Sequence, residues 1–217
     1  MKPARAKVLS AAPVPGLGLR RDPNPKSLEA AMVVGGLRRA DCAIRKSFAR
    51  RTNPADPAPT LARLVGKGTG RAAEVRVKLV LTLLFLASKD NEGTWTVSGK
   101  PGSAWAKLFG LEQPEDAGAE RVGRSIRRLH AEGLILADAV KGREPKLLAC
   151  HETGDHKTWI SPVPEGSGRG TVAAADLYFQ LDRGFWANGW ITVLSARAVT
   201  ALLIILDATW NRGPNYE

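Results

Sequence analysis

Cysteine is nearly absent from this chain: Cys42 and Cys150 are the only two among 217 residues. Two cysteines give no disulfide framework and fit a reducing interior. Histidine is almost as scarce, limited to His130, His151 and His156. No His-x-His pair accompanies a nucleophilic tyrosine, so a rolling-circle nickase or relaxase is not expected. Long apolar runs are missing as well. The two longest, 79–87 and 198–206, are each about half of the roughly 20 residues that a spanning helix needs. The N-terminus has no continuous apolar stretch to serve as a secretory signal. Its Arg- and Ala-rich start has the composition of an organellar transit peptide, but Asp22, Glu29, Asp41 and Asp56 count against that reading. GKGTG at 66–70 lacks the spacing of a phosphate-binding loop and reads as a flexible joint. Cys150, His151, Asp155 and His156 are close enough in sequence to suggest a metal. However, Cys150 and His151 would point to opposite faces of a strand, and the spacing matches no structural zinc pattern. The expectation is a protein without catalytic residues, cofactor or metal.

What the chain does have is a hydrophobic fraction of 44% with 24% charged residues, enough to bury a core as one sizeable domain or two small ones. Its net charge of +11 is unevenly placed. Residues 1–70 hold 14 Lys/Arg against 4 acids, whereas residues 71–217 hold 18 against 17. All six tryptophans lie from Trp95 onwards. A basic, Trp-free arm therefore precedes a nearly neutral body. Such an arm is drawn to phosphate backbones and makes binding steeply salt-dependent through counterion release. A solubilising tail has the same composition, and an acidic membrane surface would attract the same charge.

Within the arm, residues 11–26 and 52–60 are Pro-rich and read as extended linkers. Between them Ser27 can cap a helix with Glu29 in its first turn. Leu28, Met32, Leu37, Ile44 and Phe48 follow at roughly helical spacing. Arg38, Arg39, Arg45, Lys46, Arg50 and Arg51 crowd the second half, and Gly35–Gly36 would hinge it. A basic helix that folds on nucleic acid and a helix docked onto the body both fit this pattern.

Residues 72–88 are apolar over most of their surface. Their length favours a buried helix, although a Val- and Leu-rich run also suits a strand. A turn at 90–93 leads to a short alternating strand, 94–98. Ser103 can cap a short helix ending near Phe109, with Gly110 beyond it, and a turn then opens a third helix at about 117–132 that ends before Gly133. On this third helix Val122, Ile126 and Leu129 form one narrow apolar stripe, while Arg121, Arg124 and Arg128 share another face with Ser125 and have Arg127 beside them. Arginines so placed can read guanine in a bidentate way or clamp phosphates. After Gly133, 134–140 and 145–152 read as two strands joined by a basic turn, so that Lys141, Arg143 and Lys146 would approach adjacent phosphates. Lys100, ahead of the short helix, joins the same set. A second register is open, with a turn at 153–155 folding 147–152 back on 156–161.

The order helix, short strand, helix, turn, helix, hairpin resembles a winged helix-turn-helix, similar to bacterial transcription regulators and plasmid replication initiators. RSIRRLHAEGLILAD, at 124–138, resembles the end of the recognition helix and the first wing strand of that superfamily. The resemblance covers about 80 of the 217 residues. It implies binding to double-stranded DNA, usually as a homodimer on a palindromic site, in the cytoplasm at the nucleoid. The expected fold is mainly α with a small antiparallel sheet: a basic arm at 1–70, disordered or partly helical, and the winged domain at 71–160. A linker at 161–175 and an aromatic-rich segment with a helix from a Ser195 cap to about Trp210 complete it. That last segment (176–217) fits a dimer interface, a completion of the first domain, or the start of a second winged helix. Its aromatics fit packing better than base stacking. Two other functions share this pattern: a protein-interaction module with a basic tether, and RNA binding marked by a preference for single strands.

Overall fold

The computed structural model describes residues 41–51, 53–66, 70–89, 94–97, 99–138, 146–163 and 176–210. In chain order the first half comprises β1 (Asp41–Arg45), α1 (Lys46–Ala49), α2 (Thr60–Gly66), α3 (Arg71–Leu86), β2 (Ser88–Lys89), β3 (Trp95–Val97) and α4 (Gly102–Leu108). The second comprises α5 (Ala117–Ala131), β4 (Ile135–Asp138), β5 (Lys146–Ala149), β6 (Tyr178–Asp182), α6 (Gly184–Ala187), α7 (Trp190–Val193) and α8 (Ala196–Thr209). The fold is mixed α and β, with two small antiparallel sheets.

Helix α3 is the axis of the core. Every residue from Val77 to Phe85 is buried, the signature of a helix that is apolar all round and packed on all sides. It touches α2, α5, α8 and β1. Its polar interruptions are absorbed locally. Lys78 Nζ reaches Glu74 Oε1 at 2.7 Å. Thr82 Oγ1 donates to Lys78 O at 2.7 Å and accepts from Trp186 Nε1 at 3.1 Å. Trp186 also stacks on Phe85, with centroids 4.0 Å apart. Phe179, Phe185 and Trp186 are thus core residues, each such burial contributing roughly 1.5–3 kcal/mol, whereas Trp190 is exposed.

The four-stranded sheet runs in the order β2-β3-β5-β4. Thr96 pairs with Leu148, and Leu148 pairs in turn with Leu136, so the short strand β3 lies against the second strand of the β4–β5 hairpin. The second register is also present in part. Cys150 bridges Thr158, and His151 N donates to Lys157 O at 2.7 Å, which folds the chain after β5 back on itself.

Two sequence expectations are corrected. The helix expected through Ile44 and Phe48 is interrupted: Asp41–Arg45 is a strand, paired residue for residue with Tyr178–Asp182. Ladder partners from the far end of the chain outweigh local helical spacing. A single apolar cluster includes Cys42, Phe48 and Leu64, the core of α3, and Phe179, Val199 and Leu203. Residues 53–59 precede α2, whose Leu61 and Leu64 are buried. Lastly, α4 starts after Pro101 with no side-chain cap, because Ser103 lies within the helix, one residue past its first. Ser195, by contrast, does cap α8, accepting from Ala198 N at 3.3 Å.

Candidate nucleic-acid interface

Helix α5 packs against α3 and α4. Small residues permit the approach: a Cβ on Gly118 would lie 3.0 Å from the carbonyl oxygens of Glu112 and Gln113. The buried stripe is Gly118, Val122, Ser125 and Leu129, with Ile126 only partly covered. That is a rotation of less than half a residue step from the expected stripe, and it corrects one assignment. Ser125 is 4% exposed, and its hydroxyl donates to Arg121 O at 2.9 Å. It is turned towards the neighbouring helices, at the floor of a crevice between Arg121 and Arg124, and its hydroxyl is taken up within the helix.

Those outer arginines stand clear. Arg124 is 58% exposed, with Nη1 3.7 Å from Glu120 Oε1. Arg128 is 50% exposed, with Nε 2.7 Å from Glu132 Oε1. Arg127 is exposed and has no ion pair among the described residues. Surface pairs of the i,i+4 kind are worth about 0.3–0.5 kcal/mol, so both are readily exchanged for a phosphate. Arg121 is half-buried at the edge of this face. It borders a crevice of about 390 Å³ together with Ala72, Arg76, Arg124 and Ser125.

Arg76 was not among the residues expected from the sequence. Its Nη2 donates to Leu64 O at 2.9 Å, while its Nε is buried without a partner. Arg76, Arg121 and Arg124 surround one crevice, an arrangement of planar donors suited to a phosphodiester. The available signal was position: Arg76 follows Ala72 by four residues, on the side of α3 that stays half-exposed.

The remaining expected residues divide. Lys146 is exposed at the start of β5, opposite Asp138 in the register. Lys100 is half-buried just before α4. Lys141, Arg143, Arg38 and Arg39 lie outside the described residues. Arg45 and Lys46 belong to the interior. Arg45 is 3% exposed, with Nη1 2.7 Å from Glu152 Oε2, Nε 2.8 Å from Asp176 Oδ1, and Nη2 donating to Ile160 O at 2.7 Å. Burial opposes its charge, but the pull of Glu152 and the hydrogen bonds to Asp176 and Glu152 outweigh that and raise its pKa. Lys46 lies 3.8 Å from Asp207, which also takes Arg50 at 3.2 Å. Arg51 is exposed and donates to Pro54 O at 3.4 Å. Neither Arg45 nor Lys46 can reach a duplex without unfolding the strand and helix that carry them.

The C-terminus of α5 is tied to the turn after β5. Gly133 and Gly154 have φ of +71° and +80°, and a Cβ on Gly133 would sit 2.7 Å from Gly154 O. Only glycine fits this close crossing of two left-handed residues. His156 N donates to Gly133 O at 3.2 Å across it.

Among the described residues no group of His, Cys, Asp or Glu is placed to hold a metal ion, and no helix is long and apolar enough to cross a membrane. Comparison with known protein families, with curated proteins and with solved structures finds no match.

Proposed function

We propose that this protein binds double-stranded DNA as a winged helix-turn-helix, with α5 as the recognition helix. The observation that carries this reading is the coincidence of topology and charge. The order α3, β3, α4, α5, β4, β5, with the sheet order β3-β5-β4, is the arrangement such a module needs. In it, the helix preceding the hairpin turns its small and apolar residues inward and Arg124, Arg127 and Arg128 outward. The arginines supply base-edge or phosphate contacts, and the crevice beside Arg76 and Arg121 supplies a second grip on the backbone. Residues 1–40, with 8 Lys/Arg against 2 acids, add a sequence-independent attraction. A cytoplasmic regulator, or a replication or partition factor of a mobile element, is the class this implies.

A second copy of the chain is the expected protein partner. Ile204 and Ile205 are exposed on α8 beside Ala201 and Ala208. An antiparallel pairing of this stripe would set Arg197 of each copy against the carbonyl end of the other α8, which has no basic residue in its last turn.

The test is duplex binding followed by selection of bound genomic fragments. Arg124→Ala and Arg128→Ala are each expected to cost about 1–3 kcal/mol of affinity and to relax site preference. Removal of residues 1–40 weakens binding to all sequences and flattens the salt slope. Palindromic selected sites support the dimer. Unchanged duplex affinity in all three variants would sink the proposal, and a preference for single strands would favour RNA.

A further inference from the structure

Behind the turn that carries Gly154 lies a second arginine cluster that the duplex-binding face does not include. A cavity of about 290 Å³ opens between α1, α2 and residues 151–153, bordered by Ser47, Arg50, Arg51, Arg63 and His151, with Asp56 the one acid. Arg63 connects it to α5: a Cβ on Gly154 would lie 3.0 Å from Arg63 Nη2 and 2.7 Å from Glu132 O.

The hydrogen bonds around this cavity do not close. Thr60 Oγ1 is saturated, donating to Glu152 O and accepting from Arg63 Nη2 at 2.7 Å. Arg63 Nη2 also donates to Thr153 O at 2.5 Å. Arg63 Nε and Ser47 Oγ, however, are buried with no partner. Buried donors without acceptors are rare in native structures because their desolvation goes uncompensated. Of the nearby acids, Asp56 lines the cavity, and Asp207, outside its lining, has one oxygen, Oδ1, buried without a hydrogen-bond partner. Asp56 Oδ2 accepts from Asn53 N at 2.8 Å, and Asp207 holds Arg50 and Lys46. Along the lining three guanidinium groups, Arg50, Arg51 and Arg63, face a single carboxylate, Asp56. Its volume suits a tetrahedral anion with part of whatever carries it.

We propose that this cavity is an oxyanion site that takes a phosphate group, held by Arg51, Arg63 and the Ser47 hydroxyl. Two sources supply that chemistry, a small phosphorylated ligand and a backbone phosphate of a bound duplex. The site stands on its own geometry, independently of the reading of α5.

The experiment is thermal unfolding of the full chain in inorganic phosphate against chloride at matched ionic strength. A site that binds only the folded state raises Tm progressively once phosphate exceeds Kd. Arg51→Ala and Ser47→Ala leave the apolar core intact and are expected to raise the required phosphate concentration by about tenfold. A second arm measures binding of a labelled duplex to the same variants. If the bound group is a backbone phosphate, phosphate competes with duplex, and both variants weaken every sequence alike. If it belongs to a small ligand, duplex affinity is unchanged while the phosphate-dependent rise in Tm is lost. A Tm rise no larger in phosphate than in chloride, or equal in wild type, Arg51→Ala and Ser47→Ala, overturns the proposal.

Discussion

Arg45 and Arg127 are the same residue type in equally basic stretches of sequence, yet they occupy opposite physical regimes. Around Arg45 water has been replaced by Glu152, Asp176 and the Ile160 carbonyl. Glu152 in turn accepts from Trp159 Nε1 at 3.1 Å. This node joins β1 to the segment after β5, and every charge in it depends on its partners. Around Arg127 water remains, and the charge is available to whatever anion approaches. A buried guanidinium organises the fold and is lost to recognition, whereas an exposed one contributes little to stability and keeps its capacity to bind.

The sharpest way to break that contrast is Glu152→Ala. It strands a buried guanidinium and an indole N–H, and the expected loss is about 3–5 kcal/mol of unfolding free energy in denaturant titration. Arg45→Ala combined with Glu152→Ala should cost clearly less than the two single losses added together. Additivity would show that the node is not a coupled unit.

Next in size is the protection of Cys150, two residues from Glu152. Burial, reinforced by Asp155, pushes its thiol up to about 11. At pH 8 only about one molecule in a thousand then carries the reactive thiolate. Alkylation by iodoacetamide at pH 8 should therefore be far slower in the folded chain than in denaturant. The sign of the linkage follows. The folded state holds the proton more tightly, so this group's contribution is complete below about pH 9 and is lost as pH rises towards about 11. Equal labelling rates in the folded and unfolded chain would contradict the burial.

The smallest expected effect is on the exposed side. Arg127→Ala should shift unfolding free energy by no more than about 0.5 kcal/mol. A larger loss would mean that the outer face of α5 is part of the packing.

Legibility of the sequence followed the range of the interactions. Helix α3 could be read because its burial is written into consecutive residues, and α5 because its two faces separate within four turns. The β4–β5 hairpin needed only neighbours. Strand β1 was hidden because its partner lies at the other end of the chain, and Asp-Cys-Ala-Ile-Arg carries no local mark of that. The same distance concealed the fate of Arg45 and Lys46, whose counter-charges are Glu152, Asp176 and Asp207. Ser125 was misplaced for a different reason. A wheel ranks residues by polarity, and helix packing here selects them by size. The element order from α3 to β5 was legible; the arginine cavity behind α2 was not, because Ser47, Arg63 and His151 meet only in three dimensions.

The pairing of β1 with β6 has a consequence for how the protein is made. Asp41 must wait for Asp182, about 140 residues later. At about 5–20 residues per second of synthesis, that interval is on the order of ten seconds. During it, the residues that line one side of the core, Cys42, Ile44 and Phe48 among them, have no strand to lie against. The hairpin and the α4–α5 pair, built from neighbours, can form early. This side of the core is sealed only once Tyr178–Asp182 has been made, and until then its apolar surface is open to chaperones or to other nascent chains.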